Sequence, residues 1–344
     1  MTENTHDVKR TLEQLGAEHL PAILGLIEEI VVEGAPAGSS LPEMTSYHMS
    51  TGGKRLRALL PLAVAESLGR PARDLVPFGA ACELLHNATL VHDDLQDGDT
   101  IRRDQPTIWV KYGEARAINL GDAMLYYTLM LVDALDAPVE TRHRASNRVL
   151  KETLRVIDGQ EREFLLKELG DPSPEDYIRM VEGKTSGLFS LPISGAAEIC
   201  GADDAILDAL AEASRHLGVV FQIQDDLLDL FGDKGRGQSG SDLGEGKISM
   251  LVVHALTHAS PERAAWLRAL LEAPREELTP EHVSDAIALF ESTGAVDAAF
   301  AEIDRRCDAA LGAPALAAAP GLRDLLGGLA DVFLAPVREV RAAE

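Results

Sequence analysis

The stretch LLHNATLVHDDLQDGD, residues 84–99, decides how this chain is read. An apolar run leads straight into paired aspartates, with no polar face to receive them. Asp93 and Asp97 stand four residues apart, so on a helix their carboxylates share a face, and His86, seven residues before Asp93, lies near that face. A second stretch, LGVVFQIQDDLLD at 217–229, repeats the design: Gln222, Asp225 or Asp226, and Asp229 form another stripe. Like charges at this spacing repel, and each carboxylate resists burial, so a cationic partner is expected between the stripes. A single aspartate in an acidic protein is ordinarily a solvated surface residue. These are flanked by residues too apolar for a surface helix. Oxygen-only ligands suit a hard ion, and Mg²⁺ binds through a few carboxylates plus substrate phosphates. Two facing stripes therefore point to a diphosphate bridged by Mg²⁺.

Outward from these stretches, helical signals dominate. Leu20, Ile23, Leu24, Ile27 and Ile30 recur at spacings of three and four, and Pro21 suits the first turn of such a helix. The punctuation is helical as well: GAPAGSS at 34–40, TGG at 51–53, LGRPARD at 68–74, LGDPSPED at 169–176, the Gly-rich 232–246 and APRE at 273–276. Ser173-Pro174-Glu175 and Thr279-Pro280-Glu281 each offer an N-cap, a proline and a first-turn acid. LLPLAVA at 59–65 has helix-favouring neighbours and no strand partner, so it is read as buried helix. No alternating β-branched run or hairpin dipeptide occurs. Without a solenoid repeat or dividing linker, the chain is expected to be one large all-α unit over 1–344, its motifs within about 40–260. LGAPALAAAPGLRD near the C-terminus is either a loop between helices or a frayed segment.

Composition narrows the function. The 344 residues carry 32 Lys and Arg against 56 Asp and Glu, a formal charge of −24. That balance argues against nucleic acid as a partner and against docking on anionic lipid. Hydrophobic residues make up 46% and aromatics 4%, so the core rests on Leu, Ala, Val and Ile, which favours helices. Cys82, Cys200 and Cys307 lie far apart and form no metal or disulfide pattern. A cytoplasmic location is expected, because no signal peptide and no integral membrane segment of about 18 apolar residues is present. His254 and His258, four apart with no third ligand, are ordinary helix positions.

Fixed cations occur in islands. GGKRLR at 52–57 places Lys54 and Arg57 three apart behind a glycine pair; it lacks the spacing of a Walker A loop. Arg102 and Arg103 follow the first acid stretch, Lys184 and Thr185 sit in EGKTSGLF, and Lys247 closes the Gly-rich segment.

Taken together, GGKRLR, LLHNATLVHDDLQD, IRRDQPT, YGEARAINLGDAML, VIDGQ, MVEGKTSGLF, FQIQDDLLDLFGD and SDLGEGK, in this order, resemble the trans-polyprenyl diphosphate synthases, the farnesyl, geranylgeranyl and longer-chain enzymes. The resemblance implies a helical bundle around a deep central cavity, usually a homodimer, that condenses isopentenyl diphosphate with an allylic diphosphate. It implies Asp93, Asp97, Asp225 and Asp229 as Mg²⁺ ligands, with Asp94 and Asp226 assisting and about three ions bound alongside substrate. Lys54, Arg57, His86 and Arg103 match the isopentenyl side; Arg102, Lys184, Thr185, Gln222 and Lys247 match the allylic side. The implied chemistry is ionisation to an allylic carbocation, attack by the isopentenyl alkene, and proton loss to the released diphosphate, with the dipoles of Thr185 and Gln222 stabilising the cation.

The chain departs from the family at Asp104, where Gly usually follows the paired arginines, and at Trp109, where His is frequent. Gly235-Arg236 stands where the family has Gly-Lys, so Arg236 or Lys234 is expected to supply that charge. Product length in the family depends on the floor below the first acid motif. Ala88 and Thr89, five and four residues before Asp93, are small, so geranylgeranyl diphosphate or a somewhat longer product is expected, with Tyr126 and Tyr127 as candidates to close the floor. Two alternatives stay open: a terpene cyclase-like enzyme, and a catalytically silent helical partner subunit.

Overall fold

The structure, a computed structural model, describes residues 3–231 and 240–343. Its helices follow the punctuation above: α1 (Glu3–Gly34), α2 (Leu41–Ser50), α3 (Leu56–Ser67), α4 (Val76–Gln96), α5 (Ile108–Tyr112), α6 (Glu114–Asp133), α7 (Val139–Glu168) and α8 (Pro174–Lys184). Next come α9 (Gly187–Ser190), a π-helical turn at Leu191–Gly195, α10 (Ala196–Ile199), α11 (Asp204–Phe231) and α12 (Ser241–Gly244). Then α13 (Met250–His258), α14 (Pro261–Glu272), α15 (Pro280–Ser292), α16 (Ala295–Leu311) and α17 (Pro320–Ala343) complete the described chain. Both expected caps form: the Ser173 hydroxyl accepts from the Asp176 N–H, and the Thr279 hydroxyl from the His282 N–H. The Ala- and Pro-rich tail segment is a 3₁₀ turn, Pro314–Ala318, between α16 and α17.

Two expectations are corrected. Pro21 does not open a helix; it lies inside α1. Its missing N–H removes one backbone bond, but Val8, Leu12, Leu15, Ile23, Ile27 and Val31 bury one continuous face on both sides of it, and Pro21 is on the exposed side. A small hairpin also exists, β1 (Ile101–Arg102) pairing antiparallel with β2 (Gln105–Pro106). Its two turn residues, Arg103 and Asp104, have φ of 51° and 62°, the left-handed pair that usually calls for Asn-Gly. No such dipeptide marks it in the sequence.

Two apolar clusters share α11. One gathers α1, α3, α4, α6 and α17 around the first half of α11, down to Leu217. The other packs α8 and α13 to α16 on its second half, from Val219. α4 is buried nearly all round, so it runs through the first cluster and delivers its C-terminal acids to the space beside α11.

Candidate active site

A cavity of about 490 Å³ is lined by α4, α6, α7, α8, α9 and α11. From α4 come His86, Thr89, Leu90 and Asp93, with Asp97 at its C-terminal cap, one helical face over three turns. α7 supplies Val156, Ile157 and Gln160; α8 and its end supply Lys184 and Thr185; α11 supplies Phe221, Gln222 and Asp225. Arg57, Arg102, Asp242, Glu245 and Lys247 complete the polar part. Polar Gln160, Lys184, Gln222 and Asp225 and apolar Val156, Leu188, Phe221 and Leu125 line the same cavity.

Glycines bring α7 and α8 together. A Cβ on Gly159 would lie 2.0 Å from the Lys184 nitrogen, and one on Gly183 would lie 2.7 Å from the Gly159 Cα. Backbone meets backbone there, and the Lys184 ammonium reaches the Glu163 carboxylate, which is buried. Burial lowers the Lys184 pKa, but Asp93, Glu163 and Asp97 outweigh it and hold the group above the ordinary lysine value.

The six aspartates divide into two kinds. Asp93 and Asp97 line the cavity and accept no side-chain hydrogen bond among the described residues; Asp225 lines it from the opposite helix. Asp94, Asp226 and Asp229 accept hydrogen bonds from named partners. Asp94 is buried and ion-paired with Arg102 at 2.5 Å. Asp226 accepts from Tyr177 Oη at 2.7 Å and Gln222 Nε2 at 3.0 Å. Asp229 accepts from Ser241 Oγ at 2.7 Å and the Asp242 N–H at 3.0 Å, which tethers α12 to α11. Asp242, absent from the expected set, lines the cavity.

The cavity-facing carboxyls carry the strain of burial. Desolvation, with Glu163 and Asp93 adding repulsion against the pull of Lys184, pushes Asp97 up to about 6, and desolvation raises Asp93 as well. A carboxyl with a higher pKa folded than unfolded adds stability below its unfolded pKa and loses it as pH rises through the folded pKa. In chelator, the Asp97→Asn protein is therefore expected to gain melting temperature relative to the native chain as pH rises from about 4 to about 7. A difference that does not change with pH would contradict this. Among the described residues no three His, Cys, Asp or Glu side chains enclose an ion by themselves. The carboxylate oxygens that do line the cavity, Asp93, Asp97, Asp225 and Asp242, are the ligand type that suits Mg²⁺, which keeps waters and completes its shell with substrate phosphates.

In the same cavity Arg57, His86 and Arg102 come together, with Arg103 close by. Arg57 Nη1 is 3.4 Å from His86 Nε2, and its guanidinium lies 4.9 Å from the Phe189 ring centre. Arg57 Nε and His86 Nδ1 are buried with no hydrogen-bond partner among the described residues, and burial, then Arg57, drives His86 well below the usual imidazole value. Donors left unsatisfied beside fixed cations suit an anion. Arg103 folds over the glycine pair and donates to the Gly52 carbonyl; a Cβ on Gly53 would lie 2.6 Å from its guanidinium carbon. Lys54 is exposed and does not line the cavity.

Trp109 takes a definite place in the hairpin loop: its Nε1–H donates to the Asp99 carbonyl at 2.8 Å, a bond an imidazole N–H is equally able to make. Lys234 and Arg236 lie outside the described residues. On the floor, Thr89 lines the cavity, but Ala88 is fully buried in the core. Tyr126 is exposed and Tyr127 packs by Gly34, while Leu125 between α4 and α7 faces the cavity. Sequence reasoning missed Gln160, Glu163, Asp242 and Glu245. Gln160 is buried with both amide atoms unpartnered, and its VIDGQ context was the available signal.

The chain was compared with known proteins. A family model described as polyprenyl synthetase matches residues 39–290. The geranylgeranyl diphosphate synthase of Mycobacterium tuberculosis is 35% identical over 319 residues, covering 89% of this chain and 88% of that one. A crystal structure of geranylgeranyl pyrophosphate synthase superposes with a TM-score of 0.84 at 27% identity, covering 94% of this chain and 98% of the other. A decaprenyl diphosphate synthase from Rhodobacter capsulatus gives 0.83 at 30% identity, covering 96% and 99%. With the family model spanning most of the motifs and the likeness extending over nearly the whole fold, the chain belongs to the polyprenyl synthetase family.

Proposed function

We propose that the chain is a Mg²⁺-dependent trans-prenyltransferase that condenses isopentenyl diphosphate with an allylic diphosphate and releases geranylgeranyl diphosphate or a product of nearby length. The observation that carries this reading is the joint lining of one cavity by Asp93 and Asp97 from α4, Asp225 from α11, fixed cations and an apolar wall. Mg²⁺, when bound, neutralises the diphosphate and favours its departure. Asp93, Asp97, Asp225 and Asp242 are the residues that hold it, with Gln160 accepting or donating toward its waters. Lys184 and Lys247 take up charge developing on the allylic diphosphate; Arg57, His86 and Arg103 hold the isopentenyl diphosphate.

Thr185 Oγ1 donates to Gln222 Oε1 at 2.9 Å, and Gln222 donates on to Asp226. That chain turns the oxygen dipoles of Thr185 and Gln222 toward an allylic cation without presenting a strong nucleophile. Leu90, Leu125, Val156, Leu188 and Phe221 keep water from the growing tail. The released diphosphate accepts the proton that restores the double bond.

Exposed apolar residues support a homodimer: Ile118, Tyr126 and Met130 recur on one face of α6, and Leu150, Leu154, Ile157 and Leu165 on α7. Unpaired Cys82, Cys200 and Cys307 suit a cytoplasmic location. No described helix is long and apolar enough to cross a membrane.

Incubation with Mg²⁺, isopentenyl diphosphate and allylic primers of increasing length, with products sized by chromatography, tests the activity; no elongation of any primer would favour the silent-subunit alternative. Light scattering on the same sample reads the dimer, and a monomer mass would remove it. Thr89→Phe is expected to shift the product to shorter chains, because position 89 faces the cavity, whereas Ala88→Phe overfills the core and lowers stability by about 1–3 kcal/mol. An unchanged product from Thr89→Phe would show that the floor lies elsewhere.

A further inference from the structure

Arg275 opens a short 3₁₀ turn, Arg275–Glu277, between α14 and α15, in a region without any motif. Its guanidinium nevertheless reaches the cavity rim. Nη1 lies 3.3 Å from Asp99 Oδ1 and Nη2 lies 3.5 Å from Glu245 Oε1. Both acids line the cavity. Asp99 stands two residues beyond Asp97, and Glu245 stands two before Lys247 and three after Asp242.

Each loop is anchored on its own side. The Asp99 carbonyl accepts from Thr107 and Trp109 at 2.8 Å each, and its N–H donates to the Asp94 carbonyl at 2.9 Å. The Glu245 carbonyl accepts from Lys167 Nζ at 2.9 Å. Arg275 joins the two. Its stem lies on Gly244, where a Cβ would be 3.2 Å from Arg275 Cγ. Burial, then Asp242 and Asp99, pushes Glu245 up to about 7, so a cation at this point relieves crowded negative charge.

We propose that Arg275 is a positioning residue that clamps the loop after the first acid motif to the described segment 240–247, and so holds the cavity's acids and Lys247 at the spacing a divalent-metal diphosphate requires. This rests on the metal-diphosphate reading of the cavity. The ion pairs are partly exposed and add little stability by themselves. What they supply is geometry: a planar guanidinium presents two nitrogens to two carboxylates at once, which a lysine cannot do in the same way.

The test is calorimetric titration of Mg²⁺ with inorganic diphosphate into the whole protein, alongside melting temperature. Arg275→Met is expected to bind about tenfold more weakly, with Arg275→Lys in between and melting unchanged. Asp99→Asn added to Arg275→Met is expected to cost little more, because the acid acts through the guanidinium. Unchanged affinity in Arg275→Met, tighter affinity (a guanidinium that competes with the metal), or full additivity of the two substitutions would each overturn the clamp. A native chain that binds no Mg²⁺-diphosphate would overturn the reading of the cavity itself.

Discussion

Asp93→Asn is expected to lower primer elongation by about 10³-fold while leaving the melting temperature of the metal-free protein unchanged or higher. The carboxylate lines the cavity, burial raises its pKa, and no side-chain hydrogen bond from the described residues compensates for its desolvation. Its presence therefore costs the empty fold free energy and is useful only when a cation arrives. Removing the charge abolishes that use and relieves the cost. The amide keeps the shape of the side chain, so α4 has no packing reason to move. Steady-state rates at saturating primer and a thermal melt in chelator measure both halves. A tenfold loss or less, at unchanged Mg²⁺ dependence, would show that Asp93 does not hold the metal.

Glu83→Leu is expected to destabilise the protein by about 3–5 kcal/mol, because it leaves a buried guanidinium without its carboxylate. Arg55 and Glu83 are both buried and meet at 2.8 Å. The second Arg55 nitrogen donates to the Met49 carbonyl, and Asn87 Nδ2 donates to Glu83 Oε1 at 3.0 Å. Arg55 also caps α3 in the left-handed region, with φ of 51°, a conformation that a non-glycine residue holds only when its surroundings impose it. The ion pair holds the Arg55 side chain, two residues before Arg57, which lines the cavity. Loss of the pair is thus expected to weaken isopentenyl diphosphate binding as well as stability. Denaturant titration at neutral pH measures the first effect, and a loss below about 1 kcal/mol would contradict it. Arg55→Met combined with Glu83→Leu should recover much of the stability, since no uncompensated charge then remains.

Most helices were legible because their apolar period, caps and glycine or proline breaks all agree, as at Ser173 and Thr279. Pro21 was misread because local preference places proline in a first turn, and only the continuous buried face of α1 against its neighbours outweighs the lost hydrogen bond. The hairpin at 101–106 escaped notice because Arg103 and Asp104 adopt a turn that their types do not announce. The acids and bases of the cavity were visible as residue types in a particular order. Their division of labour was not, since the donors to Asp94, Asp226 and Asp229 come from Arg102, Tyr177 and Ser241.

By itself, the sequence determined that the chain is helical, that two acid stripes end apolar helices, and that cations accompany them, because helical period and local chemistry act over a few residues. Tertiary structure alone decided which carboxylates face the cavity, that Thr89 and not Ala88 lines it, and that Arg275 from beyond the motifs reaches its rim. Those outcomes depend on which faces of distant helices meet, and a helix's own period cannot say which of its faces another helix will cover.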